Sequence, residues 1–313
     1  MRVKVDLLSR LTAIEGLEVA ANEPLAPHTT FRIGGPAEFL VRVGSEPALQ
    51  NLVSTANEYL QPYQVLGLGS NVLIPDRGVG GVVILLEGEF LEFVVVDELV
   101  DAGAGMPLAR LARQALELGL VGLEALAGFP STVGGAVYMN AGSHGVEITD
   151  VVETVVAVMP DGRRVELSSS ELEPDYRRTN LQGSGAIVTR ARLRLQRADP
   201  GPARQRMESI NRRRRETLPS GKPNVGSVFR NPGNDHAGRL IEACGLKGRC
   251  SGGAEISVRH ANVIVNNGGA TADDVFELMR LSRQSVAERF GVDLEPEVVL
   301  VGELAERWLE FGA

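Results

Sequence analysis

The chain has 313 residues, 43% of them hydrophobic and 23% charged, which suits a globular protein with a substantial core and two or three domains. A net charge of −8 argues against a general binder of nucleic acid or of anionic membrane. The N-terminal MRVKVDLLSRLTAIEG scatters charge through its apolar residues, so neither a signal peptide nor a spanning helix is expected there, and the cytoplasm follows as the default location.

Residues 1–20 are expected to form a short helix and 22–36 an irregular segment, followed by a strand at 39–43. Ser45 is placed to cap a helix running to about Leu60, with Leu49, Leu52, Val53 and Ala56 on its apolar face. A strand at 64–68 runs into Gly67-Leu-Gly69-Ser70-Asn71, and the next strand, 82–86, follows a turn at 76–78. A Gly-Ser-Asn turn after a strand can offer main-chain N–H groups to a phosphate. The third glycine of a dinucleotide fingerprint is missing, however, so a plain strand–turn–strand stands beside that reading. Short strands at 91–96 and 99–102 lead to a helix opened by Pro107 and closed by Gly119, with Leu108, Leu111, Ala112, Ala115 and Leu116 on one face.

Gly119 to Gly145 then concentrates seven glycines among small, nearly uncharged residues. Glycine costs backbone entropy, so such a cluster needs a reason: either main chain approaching a flat or phosphorylated ligand, or tight turns and packed crossings. The Gly134-Gly135 and Asn140-Ala141-Gly142 steps favour the ligand. A hairpin is expected over 151–158 and 164–167 about Pro160-Asp161-Gly162. In 186–195 the residues Ile187, Ala191, Leu193 and Leu195 alternate with Arg190, Arg192 and Arg194, the pattern of a half-buried strand with a solvated arginine face. Residues 196–202 read as a domain boundary, and a helix over 203–216 carries Arg212 to Arg215. Beyond Asn224-Val-Gly-Ser227-Val-Phe-Arg230-Asn231-Pro lie a helix at 237–244 and a strand at 261–266. Thr271 and Asp274 form a capping box for a helix ending at Gly291, and 294–301 reads as an apolar strand with two carboxylates. Strands and helices in blocks indicate α+β. Cys244 and Cys250, like His28, His144, His236 and His260, have no metal-ligand spacing, and no metal is expected; His260 reads as a satisfied structural histidine.

PHTTFRIGGPAEF (27–39), GLGSNVLIPDRGVGGVVI (67–84), GFPSTVGGAVYMNAG (128–142), DYRRT (175–179), GSVFRNP (226–232) and LEPEVVLVG (294–302) occur in this order. Together they resemble the UDP-N-acetylenolpyruvoylglucosamine reductases (MurB), from about residue 22 to 303. GSVFRNP followed by LEPEV is the specific pair; the glycine loops alone would also fit flavoproteins of the vanillyl-alcohol-oxidase type, and an oxidase of that type is the alternative. An inert nucleotide-binding module is the other rival. The resemblance implies an α+β protein with two PCMH-type FAD-binding subdomains, 1–86 (joined by 297–313) and 87–197, and a substrate-binding domain at 198–296. It implies non-covalent FAD, NADPH as hydride donor, and UDP-N-acetylglucosamine enolpyruvate as acceptor in peptidoglycan synthesis. A monomer without nucleic-acid or membrane partners is expected.

Carried over by motif, Gly67, Gly69, Ser70 and Asn71 would hold the FAD pyrophosphate. Gly128, Ser131, Thr132, Gly134, Gly135, Asn140, Ala141 and Gly142 would lie against its isoalloxazine. Arg177, Ser227 and Glu297 fall on the family's active-site arginine, proton donor and glutamate, and Tyr176 and Asn231 on substrate contacts. Hydride delivered to the enolpyruvyl β-carbon leaves negative charge at the α-carbon, delocalised into the carboxylate. A guanidinium can grip that carboxylate, a Glu297 partly protonated by burial is expected to donate a hydrogen bond to the same species, and Ser227 to protonate the carbon. Arg230 stands where the family often has lysine. Thr217 stands where some members have a diphosphate-binding lysine, so Arg214 or Arg215 is expected to make that contact. The short step from 195 to 203 leaves no room for the tyrosine-bearing flap of one subtype.

Overall fold

The computed structural model describes residues 2–312. By its internal contacts the chain divides into two units. The first comprises 1–21, 38–68 and 80–211; the second comprises 22–37, 69–79 and 212–313. The division near residue 211 lies inside the helix Pro200–Thr217, and 297–313 belongs to the same unit as 212–296.

The first unit is built on a five-stranded antiparallel sheet in the order Arg164–Ser168, Val152–Val158, Ile187–Arg194, Leu99–Gly103, Phe93–Val96. Period-two alternation sends Ala191 and Leu193 into the core, where they join Leu108, Leu111, Ala112 and Ala115 of the helix Leu108–Glu117. The opposite face is more ordered than a solvated arginine row: Arg190 and Arg192 both pair with Asp101, the first at 2.5 Å, and Arg194 pairs with Glu153. Ser45 caps the helix Glu46–Glu58 through Ala48 N–H, and Leu49, Leu52, Val53 and Ala56 are buried.

The second unit packs Phe229, Ile256, Ile264, Phe276, Met279 and Trp308 into one core. A three-stranded sheet, Cys250–Ser251, Ala254–Ile256 and Ile264–Asn266, is flanked by the helix Ala272–Phe290. That helix starts with the expected capping box, Thr271 with Asp274, and ends at Gly291 in the left-handed conformation (φ +65°). Asp76 supplies a further cap from far along the chain, its carboxylate accepting from Ala272 N–H at 2.8 Å.

Several elements differ from expectation. The N-terminal helix stops at Thr12, and a strand Leu17–Pro24 occupies the rest of 1–20 and the start of 22–36, because Gly16 at φ +85° turns the chain. The glycine-rich stretch contains a short helix, Val133–Tyr138, capped by Thr132. Within 294–301 only Val299–Leu300 pairs as a strand, parallel to Val72–Leu73. A last helix, Glu303–Gly312, carries no expectation; it exists because Leu304 and Trp308, one turn apart, bury against the second core, with Trp308 edge-on to Phe276.

Candidate active site

In the second unit the GSVF segment is the middle of three short extended pieces. Ser227 bridges Val263 on one side and Phe229 bridges Pro296 on the other, both antiparallel. Val228 N–H donates to Asn262 O (2.9 Å), Glu297 N–H donates to Val228 O (2.9 Å), and Arg230 N–H donates to Glu295 O (2.9 Å). Three stretches far apart in sequence thereby become neighbours, and Ser227 and Glu297 sit on adjacent pieces. Gly226, at φ +77°, makes the turn that delivers Ser227.

Asn71, expected on the FAD pyrophosphate, has its side-chain amide engaged elsewhere: Nδ2 donates to Glu297 O at 3.0 Å, and Asn71 O accepts from Val299 N–H. It ties the first glycine loop to the strand of the glutamate. Gly69 is buried at φ +60°, and a Cβ there would lie 2.2 Å from His28 O, so this turn admits only glycine. Beside it, Ser70 is half-buried.

A cavity of about 300 Å³ opens beside Ser227, lined among others by Asn231, His236, Arg239, Arg259 and His260. Asn231 Oδ1 accepts from Ala237 N–H, leaving its NH₂ as the group a ligand can use. His260 is pushed below the usual histidine range by burial and then by the Lys247 charge, with Glu242 opposing. Its Nδ1 accepts from Asn262 N–H (3.3 Å), which assigns the ring proton to Nε2 in the neutral form. Arg259 Nη1 donates to Arg215 O and holds the end of the helix Pro200–Thr217. Arg214 on that helix is half-buried, its guanidinium lowered in pKa by desolvation, whereas Arg215 is exposed. Arg230 Nε is buried without a hydrogen-bond partner among the described residues. Of the charged groups lining the cavity, Arg239 is paired with Asp235 and Glu242 with Lys247, while the Arg259 guanidinium bonds only main-chain carbonyls among the described residues and is the cation placed to meet an anion.

In the first unit Asp175 and Arg178 pair main chain to main chain, making Tyr176-Arg177 the tip of a two-residue turn. Arg177 takes φ +56°, a backbone region in which an arginine is held only by its surroundings. Its guanidinium donates to Gly142 O at 2.8 Å and lies over the exposed Tyr176 ring. A Cβ on Gly142 would meet Glu147 Cγ at 2.9 Å and Arg177 Nη1 at 3.0 Å, so glycine is required for the arginine to reach there. Asn140 is fully buried and spends its whole carboxamide on the protein: Nδ2 donates to Glu147 and to Asp175 O, and Oδ1 accepts from Thr149. It is the hub that fixes the Arg177 turn to the glycine stretch. Ala141 is tied on both sides, to Ala136 O and from Ile148 N–H.

The helix after Ser131 and Thr132 uses its own first donors. Val133 N–H goes to Met106 O, Gly134 N–H to Ala104 O, and Gly135 N–H to the Thr132 hydroxyl. Gly134 is buried with Ala104 Cβ 2.8 Å from where its own Cβ would stand, so a packed crossing explains this glycine. The exposed Gly67 crosses Thr132 as closely, its Cβ position 2.9 Å from Oγ1. The two glycine loops therefore meet at Gly67 and Thr132, with Gly128 half-buried on the same stretch.

These residues fit FAD in a specific sense. Gly67 is exposed where the loops meet and Ser131 is half-buried, with no carboxylate in 67–71 or 128–142 to repel a pyrophosphate. No group of His, Cys, Asp or Glu able to hold a metal occurs among the described residues, and none of their helices is long and apolar enough to cross a membrane. Asn262 and the cavity beside Ser227 escaped the sequence reading, whereas Asn71 and Asn140 were expected on the flavin and instead bond to protein groups. The sequence signal for Asn262 was an asparagine set among apolar residues, His260-Ala-Asn262-Val.

An FAD-binding domain model matches residues 37–168, and the chain is an FAD-dependent oxidoreductase of the α+β class. Residues 218–301 match the C-terminal domain of UDP-N-acetylenolpyruvoylglucosamine reductase. A reductase of that name from Symbiobacterium thermophilum is 46% identical over 90% of this chain and 91% of its own length. The one from Bacillus subtilis is 40% identical over 91% and 94%. The crystal structure of the Thermus caldophilus enzyme superposes with a TM-score of 0.79 at 40% identity, covering 91% of this chain and 99% of that one. The chain belongs to the UDP-N-acetylenolpyruvoylglucosamine reductase family.

Proposed function

We propose that this protein reduces UDP-N-acetylglucosamine enolpyruvate to UDP-N-acetylmuramate with NADPH, as a monomeric cytoplasmic enzyme of peptidoglycan synthesis without nucleic-acid or membrane partners. The observation that carries the reading is the three-piece arrangement around Val228, in which Ser227, at the edge of a cavity that Arg259 and Asn231 also line, stands on the extended segment next to that of Glu297. We assign 1–86 with 297–313, and 87–197, to FAD binding and 198–296 to the substrate. Non-covalent FAD, when bound, supplies the hydride taken from NADPH.

Arg177 holds the enolpyruvyl carboxylate, where negative charge accumulates once hydride reaches the β-carbon. Its turn is anchored by Asn140, so the guanidinium is oriented before substrate arrives. Glu297, in its protonated form, donates a hydrogen bond to the same charge, and Ser227 Oγ gives its proton to the α-carbon. A serine suffices because the accepting carbon is far more basic than its alkoxide. Asn231 NH₂, Arg230, and Arg214 ahead of Arg215 take the diphosphate; the buried Arg230 Nε without a partner supports an anion there. Gly67, Gly69 and Ser70 approach the FAD pyrophosphate, with Ser131, Thr132 and Gly142 nearer its ring.

The test is spectral. The purified protein is expected to be yellow, with FAD released intact by acid. Anaerobic NADPH should bleach it, and the enolpyruvyl UDP-sugar should restore the colour and yield the lactyl product. Rapid reoxidation by oxygen with no response to the UDP-sugar would establish the oxidase alternative instead.

A further inference from the structure

Asn262 is 2% exposed and has every polar atom engaged. Its Oδ1 accepts from Phe229 N–H (3.0 Å) and its Nδ2 donates to Phe229 O (2.8 Å). Its carbonyl accepts from Val228 N–H, and its N–H donates to His260 Nδ1. A single side chain thus occupies both main-chain groups of Phe229, where a sheet would supply a ladder partner. The need is local. The segment 227–229 makes only single-residue bridges to its neighbours, too few to fix its register. Buried amide-to-backbone bonds meet no competition from water and hold tightly.

We propose that Asn262 is a positioning residue for proton transfer: by clamping both main-chain groups of Phe229 its side chain fixes the height and direction of Ser227, two residues upstream. The inference rests on the role given to Ser227 above. Asn262 touches no reacting atom; it acts through the main chain. Protonation of carbon tolerates little displacement, and a misplacement of about 1 Å can cost about 10²-fold.

The experiment is a double-mutant cycle on the holoenzyme, read as the two half-reactions in anaerobic stopped flow. Asn262→Ala should leave bleaching by NADPH within about 3-fold and slow reoxidation by the enolpyruvyl UDP-sugar about 10²-fold. In a Ser227→Ala background the same change should cost less than about 3-fold more, because no donor remains to be positioned. Losses that multiply, or equal slowing of both half-reactions by Asn262→Ala, would overturn the proposal in favour of a purely structural role. If Asn262→Ala yields no yellow soluble protein, Asn262→Asp, which keeps the acceptor for Phe229 N–H, is carried through the same cycle: selective, non-multiplying slowing of reoxidation supports positioning, and multiplying or unselective losses overturn it. Failure of the underlying reading shows separately, as unimpaired reoxidation in Ser227→Ala alone; the positioning proposal then falls with it.

Discussion

Gly134→Val separates the two reasons a glycine can stand in the 119–145 stretch. A Cβ at this position would lie 2.8 Å from Ala104 Cβ and 3.1 Å from Ala104 O. Carbon atoms prefer about 3.5–4.0 Å, so the overlap approaches 1 Å before the two valine methyls are added. Overpacking of this kind costs about 1–3 kcal/mol. Displacing the Gly134 N–H···O Ala104 bond of 2.8 Å adds about 1 kcal/mol, and the better helix propensity of valine returns less than about 1 kcal/mol. The net cost is about 2–3 kcal/mol, and at about 2–4 °C per kcal/mol for a domain of this size the melting temperature should fall by roughly 4–12 °C. Thermal unfolding should be followed by circular dichroism on the apoprotein and on the FAD-loaded protein. The packing account predicts a comparable fall in both. An apoprotein that melts like wild type while flavin occupancy is lost would refute it and return Gly134 to the ligand.

Asp76→Ala removes the outside cap of the helix Ala272–Phe290 and should lower unfolding free energy by about 1 kcal/mol in a denaturant titration, with no change contradicting the cap. Asn140→Ala strands several buried groups and should cost about 2–4 kcal/mol. Asn140→Asp should not rescue it, since the lost donor served two acceptors and the new carboxylate faces Glu147; a wild-type melting curve for the aspartate variant would dismiss the hub. The depressed pKa of His260 favours the neutral ring in the fold. Its stabilisation is therefore complete above the unfolded value of about 6.5 and is lost as pH falls towards the folded value. Between pH 7 and 5, wild type should lose more stability than His260→Gln; equal slopes would count against the depression.

Helices were legible where periodicity and caps agree: Ser45 before the Glu46–Glu58 helix and the Thr271–Asp274 box both act as their residue types suggest. The motifs GSVFRNP and LEPEV announced the family, but not the means that brings them together. Main-chain bonds among 226–230, 261–263 and 295–298 leave no side-chain signature, because almost any sequence can supply an N–H and a C=O. Side chains wholly spent on the protein, as at Asn140 and Asn262, look in sequence like ligand contacts or like nothing. Glycines are equally ambiguous: the same residue type serves a packed crossing at Gly134 and makes room for a guanidinium at Gly142. The helix Glu303–Gly312 was missed because its stability comes from tertiary burial of Leu304 and Trp308 rather than from a capping signal.

The most direct test of the central claim is stopped-flow absorbance on Ser227→Ala, with the two half-reactions measured separately. Reduction by NADPH requires no proton for the substrate and should proceed at close to the wild-type rate. Reoxidation by UDP-N-acetylglucosamine enolpyruvate should slow by about 10²–10⁴-fold, the usual cost of losing a positioned acid. Equal slowing of both steps would mean that Ser227 only shapes the cleft, and unimpaired reoxidation would contradict its role as the proton donor.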